Sequence, residues 1–278
     1  MFEVVGYVDD ASQVVPMYDK PSDLSSLVKA LYDGVNSDLE DPMDFFQLAG
    51  VLRLSTKYCA TRIRVQTIRL LLKTWSSTLE GHDEMVKKAL LAPIANNLTY
   101  PYVHPLHVLN LAHETDVQVI RPSALYFLSV YQLSEVLEGG HPKLMVEHPS
   151  KPSSELSLGD IRDYTLVYQF RINAALDFIR NFCRDLATSP RCGAIETCGR
   201  QFGLMVTRLH NKWQPKTGPL FFMYQVIEQT RHAQSICALC RSHFHVEAQK
   251  QRQENWNMLP AVAGFSSWEE LEERDLKG

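Results

Sequence analysis

Four cysteines in the C-terminal half of the chain have a residue type and spacing that could hold a metal ion. Cys192 and Cys198 bound the segment CGAIETC, and Cys237 and Cys240 bound the segment CALC. Structural zinc takes four ligands in a tetrahedron, and two cysteine pairs far apart in sequence can supply them. CALC has the usual spacing of half a zinc site, whereas the first pair is spaced more widely than the usual gap of about two to four residues. These four residues are therefore the candidate zinc ligands.

Other interpretations of the same cysteines stay open. Free cysteine is among the most buried residue types, so the four thiols could lie reduced in a helical core. His243 and His245 follow CALC and are alternative ligands for the same ion. A redox role is less favoured, because a thioredoxin-like Cys-x-x-Cys accompanies a βαβ pattern, whereas the residues around CALC have the spacing of a helix.

The histidines and carboxylates do not complete a catalytic pattern. His104 and His107 could share a helix face and an ion, but no third ligand forms an HExxH-type motif with them. Asp160 and Asp163 lie where a helix should begin, and the helix dipole explains carboxylates at that position. The sequence contains no Gly-x-Ser-x-Gly, P-loop or Gly-x-Gly-x-x-Gly motif. We therefore expect a protein that is not an enzyme.

Composition and charge narrow the class of protein further. The chain has 278 residues, of which 45% are hydrophobic and 22% charged, an ordinary globular balance. Its net charge of −4 and the lack of a long basic run argue against nucleic-acid binding and against an electrostatic membrane anchor. No apolar run approaches the roughly 18 residues of a transmembrane helix, and the first residues do not form a secretory signal. We expect a protein of the cytoplasm or nucleus, whose six cysteines stay reduced.

The elements that must position these residues are expected to be helices, so the predicted fold is mainly α. The stretch at 44–75, DFFQLAGVLRLSTKYCATRIRVQTIRLLLKTW, has apolar residues at helical spacing on both sides of a break at 59–61. This pattern predicts an αα-hairpin, with Thr61 capping its second helix. A short strand at 14–18 and a helix at 21–32 should precede the hairpin. The residues expected in the hairpin core are Leu48, Leu52, Leu71 and Leu72.

Helical spacing continues along the rest of the chain. Further helices are predicted at 82–91, 104–113, 133–137, 160–186, 201–212 and 220–259, with another that begins at 122. The last long helix carries CALC and should stop at Pro260. The segments at 139–159 and 188–197 have the composition of loops, and the acidic tail at 266–278 could form a short helix.

The hairpin and several later segments resemble fungal, basidiomycete-type BTB/POZ domain proteins. The resemblance begins with a helix ending in LYDG, followed by DFFQLAGVLRLSTKY and IRVQTIRLLLKTW. It continues in YPYVHPLHVLNLA at 100–112, PSALYFLSVYQLSE at 122–135 and WEEL at 268–271. The β-hairpin, helix and strand that begin a complete BTB domain would have to precede Met1, so the fold implied is a helical remnant of the domain followed by an all-helical C-terminal region.

The resemblance also implies a division into domains and a function. The expected parts are a partial BTB/POZ domain at 1–80, a helical extension at 81–138, a loop or linker at 139–159 and a C-terminal helical domain at 160–278. BTB domains are oligomerisation and adaptor surfaces, so the implied function is non-enzymatic protein binding, with other proteins, a second copy of the chain or a cullin-type scaffold as partner. One alternative is a substrate adaptor of a cullin-type ubiquitin ligase, and another is a zinc-dependent regulatory protein.

Overall fold

The computed structural model of this chain describes residues 18–37, 39, 41–212 and 218–277. These residues form helices and the connections between them, without a strand, so the predicted mainly α fold is confirmed. The predicted strand at 14–18 lies outside the described residues except for Tyr18, which has no regular structure.

Twelve α-helices occupy the described part of the chain. They are α1 (Pro21–Asp33), α2 (Pro42–Lys57), α3 (Thr61–Leu71), α4 (Leu79–Leu91), α5 (Pro105–Glu114), α6 (Arg121–Leu128), α7 (Leu133–Glu138), α8 (Leu158–Asp177), α9 (Ile195–Lys212), α10 (Pro219–Arg231), α11 (Ala238–Val262) and α12 (Trp268–Leu276). A 3-10 turn spans Pro142–Leu144, and a π-helix at Phe178–Leu186 continues α8.

The predicted hairpin is formed by α2 and α3. Asp41 caps α2, because its carboxylate accepts the amide proton of Met43 at 2.7 Å. The chain then turns at Cys59, which has a φ of 53°, and the amide of Ala60 bonds to the carbonyl of Ser55 at 2.8 Å. This turn makes Ala60 the residue that precedes α3, so the prediction that Thr61 caps the second helix is wrong.

The hairpin core is largely as predicted. Leu48, Leu52 and Leu71 are buried, and Leu72 is half-buried against the same cluster. On α1, Leu27 and Ala30 are buried, whereas Val28 and Leu31 are 44% and 57% exposed.

The main core receives side chains from both sides of the loop at 139–159. Trp75, Tyr126, Tyr164 and Trp256 all belong to one buried cluster. A polar contact also crosses this region: the indole of Trp256 on α11 donates to the carbonyl of Ser77, in the connection between α3 and α4, at 2.8 Å. The division into domains at that loop stays a prediction, and the segment holds the short 3-10 turn and ends in the first two residues of α8.

The C-terminal helices differ from the prediction in three places. The predicted helix at 220–259 is two helices, because the chain turns between Arg231 and Cys237. Helix α9 begins at Ile195, six positions earlier than predicted, so Cys198 lies on a helix. Pro260 does not stop α11: the carbonyl of Trp256, which a proline cannot bond, accepts the indole N–H of Trp268 at 3.1 Å.

Candidate metal centre

The four predicted cysteines lie together in the described structure. Their Sγ atoms are all within 4.8 Å of one another. The Sγ atoms of Cys192 and Cys237 are 3.7 Å apart. Four sulfurs bound to one zinc ion at about 2.3 Å would lie roughly 4 Å from each other. The arrangement is therefore compatible with a metal site, and the thiols are free rather than joined in disulfides.

Each pair of cysteines is positioned by the start of a helix. Cys192 lies in a turn before α9, where its amide bonds to the carbonyl of Ser189 at 3.0 Å. Cys198 lies in the first turns of α9. Cys237 is the residue that precedes α11, and Cys240 lies in the first turn of that helix. The two helix starts face each other, which brings residues 45 positions apart into contact.

Backbone amides point at the sulfur atoms. The amide of Ser189 donates to the Sγ of Cys240 at 3.3 Å, and the amide of Ala194 donates to the Sγ of Cys192 at 3.4 Å. Donors of this kind stabilise a thiolate, which is the form that binds a metal. Sequence reasoning missed both donors, because any residue except proline supplies the same amide.

An arginine next to the cluster holds the turn that separates α10 from α11. One guanidinium nitrogen of Arg241 donates to the carbonyls of Ala233 and Ile236, at 3.1 and 2.8 Å. These bonds fix the backbone immediately before Cys237. Since they involve a side chain one turn into α11, they connect the turn rigidly to the helix that carries Cys240.

Burial and hydrogen bonding give the thiols different acidities. Cys240 is fully buried, and this desolvation raises the pKa of its thiol to about 12. The thiol of Cys237 lies at the edge of the cluster, and a hydrogen bond from the backbone of Cys240 lowers its pKa to about 7. A bound cation would favour the thiolate at all four positions, because its charge offsets the cost of burying them.

An aromatic pair lies one helical turn beyond the cysteines. Phe202 follows Cys198 by four positions, and Phe244 follows Cys240 by four positions. The two rings are in contact, with centroids 5.3 Å apart, and both are buried. They are part of a second apolar core, separate from the main one, that also contains Phe178, Phe182, Met223 and Ile227. The equal offset from each cysteine was a sequence signal that could have predicted this contact.

The other candidate ligands lie elsewhere. His243 and His245 are half-buried on α11 and do not belong to the cysteine group. His104 is buried and caps α5, because its Nδ1 accepts the amide proton of Leu106 at 3.2 Å. His107 is also buried, with its Nδ1 3.2 Å from the carbonyl of Ser153.

The carboxylates at the start of α8 have local partners. Ser157 caps the helix by accepting the amide proton of Asp160 at 3.1 Å. The buried carboxylate of Asp160 accepts hydrogen bonds from Ser157 Oγ at 2.6 Å and contacts Nε2 of His113 at 2.8 Å. Asp163 lies 3.9 Å from Arg121. Asp160 thus has the helix-start environment that the sequence predicts, together with a contact to His113 that the sequence did not indicate.

Comparison with known proteins gave no match: no protein-family model, curated protein or solved structure resembles the chain significantly. Among the described helices, none combines the length and the apolar character that crossing a membrane requires.

Proposed function

We propose that this chain is a non-enzymatic protein-binding protein whose C-terminal helices are held together by a structural zinc ion. The observation that carries the zinc assignment is the convergence of four sulfur atoms within 4.8 Å. The proposed ligands are Cys192, Cys198, Cys237 and Cys240. Thiolate ligands favour zinc over the harder cations magnesium and calcium, which prefer oxygen.

A site of this composition supports a structural role. Four protein ligands complete the tetrahedron of zinc and leave no position for water or substrate, whereas catalytic zinc keeps one position open. Cys192, Cys198 and Cys240 are also buried, which limits access from solvent. Zinc would join the start of α9 to the start of α11, and its binding energy would add to the free energy of folding.

Zinc K-edge X-ray absorption of the purified protein tests the assignment. A structural site predicts four sulfur neighbours at about 2.3 Å and no nitrogen or oxygen neighbour. Replacing Cys198 by His should change one sulfur neighbour to nitrogen, whereas replacing the exposed Cys59 by Ser should leave the spectrum unchanged. A first shell with nitrogen or oxygen ligands in the unaltered protein would contradict the assignment.

The protein-binding part of the proposal is supported by the resemblance to BTB proteins and by the surface of α1. Val28, Leu31 and Tyr32 are 44%, 57% and 87% exposed on this helix. Neighbouring exposed apolar side chains are common where another protein binds. The narrower form of this function is a substrate adaptor that binds a cullin-type scaffold.

Two solution measurements test the protein-binding part. Light scattering should show that the chain does not form the usual BTB dimer, because that interface is built largely on strands and the described residues contain none. Calorimetric titration with a purified cullin N-terminal region should show binding that Leu31→Glu abolishes and Lys250→Glu leaves intact, if the chain is an adaptor. A symmetric dimer, or no cullin binding, would contradict the corresponding expectation.

A zinc-dependent regulatory protein is the second candidate function. The observation that favours it is the position of Cys237, which is half-buried at the edge of the cluster and is therefore the ligand closest to solvent. Loss or gain of zinc at such a position would change how well ordered the turn before α11 is. A regulatory role predicts that partner affinity differs between zinc-loaded and zinc-stripped protein, and equal affinities would exclude it.

A further inference from the structure

A cleft whose lining contains no cysteine lies between α4, α6 and the start of α10. Its volume is about 400 Å³, within the range of pockets that bind small molecules. The lining is mainly apolar and aromatic, and it includes Met85, Val86, Tyr100, Phe127 and Phe221. Such a lining suits the body of an apolar ligand.

Lys143 is the one lysine in the lining and is almost completely buried. It lies in the 3-10 turn and is 4% exposed. Among the described residues, no hydrogen bond or ion pair is found for its ammonium group, and no charged neighbour contributes to the shift of its pKa. Burial alone lowers the pKa of Lys143 to about 8, with no acidic neighbour to oppose the shift. An ammonium group in this apolar cleft without a counter-ion makes an anionic ligand the natural partner.

His82 is a second unpaired polar group in the lining. Its side chain is 1% exposed, and in the described structure neither ring nitrogen has a hydrogen-bond partner. The ring is packed among Tyr126, Phe127 and Trp256, with centroids 5.1–5.4 Å away. Buried polar atoms are nearly always hydrogen-bonded, so an unpaired imidazole in a cleft also indicates a ligand or bound water.

We infer that this cleft binds a carboxylate with an apolar body, such as a medium-chain fatty acid or an aromatic acid. The carboxylate would pair with the ammonium of Lys143, and the apolar body would lie against Phe127 and Phe221. The unpaired ring nitrogens of His82 are available for further hydrogen bonds in the aromatic lining. A cationic ligand is disfavoured, because it would meet Lys143 without a carboxylate to separate the two charges.

Calorimetric titration of the full chain with three probes of equal length tests the charge requirement. The probes are decanoate, decan-1-ol and decyltrimethylammonium, each used below its micelle concentration. Decanoate should bind most tightly, and Lys143→Met should weaken it by about tenfold to a hundredfold, the usual effect of losing a charge-assisted hydrogen bond. Binding of decan-1-ol should be the same in both proteins. Titration with 2-naphthoate then distinguishes an aromatic from an aliphatic acid.

Two further variants separate this result from a loss of folding. Lys250→Met removes an exposed lysine on α11 and should leave decanoate binding unchanged. Ala89→Phe places a ring in the cleft and should weaken decanoate and decan-1-ol together. Equal decanoate affinity in the unaltered protein and in Lys143→Met would overturn the inference. So would the failure of the unaltered protein to bind both decanoate and 2-naphthoate.

Discussion

The sulfur atoms of Cys192 and Cys237 are 3.7 Å apart, although 45 positions separate the two residues in the sequence. The order of the helices along the chain does not by itself predict this contact, since one cysteine precedes α9 and the other precedes α11. Contact between two helix starts brings Cys198 and Cys240 to the same place. The cluster therefore connects elements that would otherwise meet mainly through the phenylalanine rings one turn further on.

The phenylalanine pair should contribute much of the stability of this second core. Phe202→Ala should lower the free energy of unfolding by about 3–5 kcal/mol, because it removes a buried ring that contacts Phe244. Urea denaturation followed by circular dichroism measures the change. Leu204→Ala, at a half-exposed position of the same helix, should change it by less than about 0.5 kcal/mol. Equal effects of the two substitutions would remove Phe202 from the core.

The core of the hairpin formed by α2 and α3 gives a similar prediction for the N-terminal half of the chain. Leu71→Ala should lower the free energy of unfolding by about 2–5 kcal/mol, because Leu71 is fully buried in the main core together with side chains of α2. Leu31→Ala, on the exposed side of α1, is the control and should have little effect. A melting temperature unchanged by Leu71→Ala would show that the hairpin does not pack as described.

Buried histidines should make the protein sensitive to acid. Desolvation lowers the pKa of His82 to about 3, of His104 to about 2 and of His107 to about 4, from 6.5 in the unfolded chain. Below pH 6.5 the unfolded chain therefore binds protons that the folded chain does not. Stability is fully present above that pH and falls by roughly 1.4 kcal/mol per histidine for each further pH unit, until the folded pKa is reached.

The variant His82→Phe isolates one of these contributions. Its free energy of unfolding should fall less steeply between pH 6.5 and pH 5 than that of the unaltered protein. Acid loss of a metal would affect both proteins and cancels in the difference. His232→Gln, at an exposed position, should keep the full slope. Parallel slopes for His82→Phe and the unaltered protein would mean that His82 is protonated in the folded state.

Lys143 should destabilise the protein in the absence of a ligand. Replacing it by Met should raise the free energy of unfolding at pH 7 by about 1–3 kcal/mol, because a buried, unpaired ammonium is removed. The folded pKa of about 8 lies below the 10.5 of lysine in the unfolded chain, so between these values the unfolded chain binds the extra proton. The advantage of Lys143→Met should therefore shrink as the pH rises from 8 to 10. A destabilised Lys143→Met variant at pH 7 would contradict the description of an unpaired lysine.

The sequence was a reliable guide where periodicity is uninterrupted and a poor one where the backbone turns for tertiary reasons. Leu48 and Leu52 repeat with the period of a helix, and both are buried as predicted. The turn before Cys237 was not predicted, because apolar residues continue across it at helical spacing and the bonds that hold it come from Arg241. Pro260 was read as a stop, but a distant indole replaces the missing hydrogen bond.

The candidate metal site was likewise predictable from the sequence only in part. Cysteine type and the spacing of CALC were sufficient to name the four residues that converge. The convergence of the wider pair, Cys192 and Cys198, with CALC depends on how α9 packs against its neighbours, which spacing does not encode. The cleft was missed altogether, because an isolated lysine such as Lys143 has no sequence pattern that distinguishes a buried cation from a surface one.

The metal content of the purified protein tests the central claim most directly. Elemental mass spectrometry should find one zinc ion per chain in the unaltered protein. A variant with both Cys237→Ser and Cys240→Ser should contain almost none. Cys59→Ser, which alters an exposed cysteine outside the cluster, should retain the zinc. Zinc absent from the unaltered protein, or present equally in the double variant, would contradict the account and leave four reduced thiols in the second core.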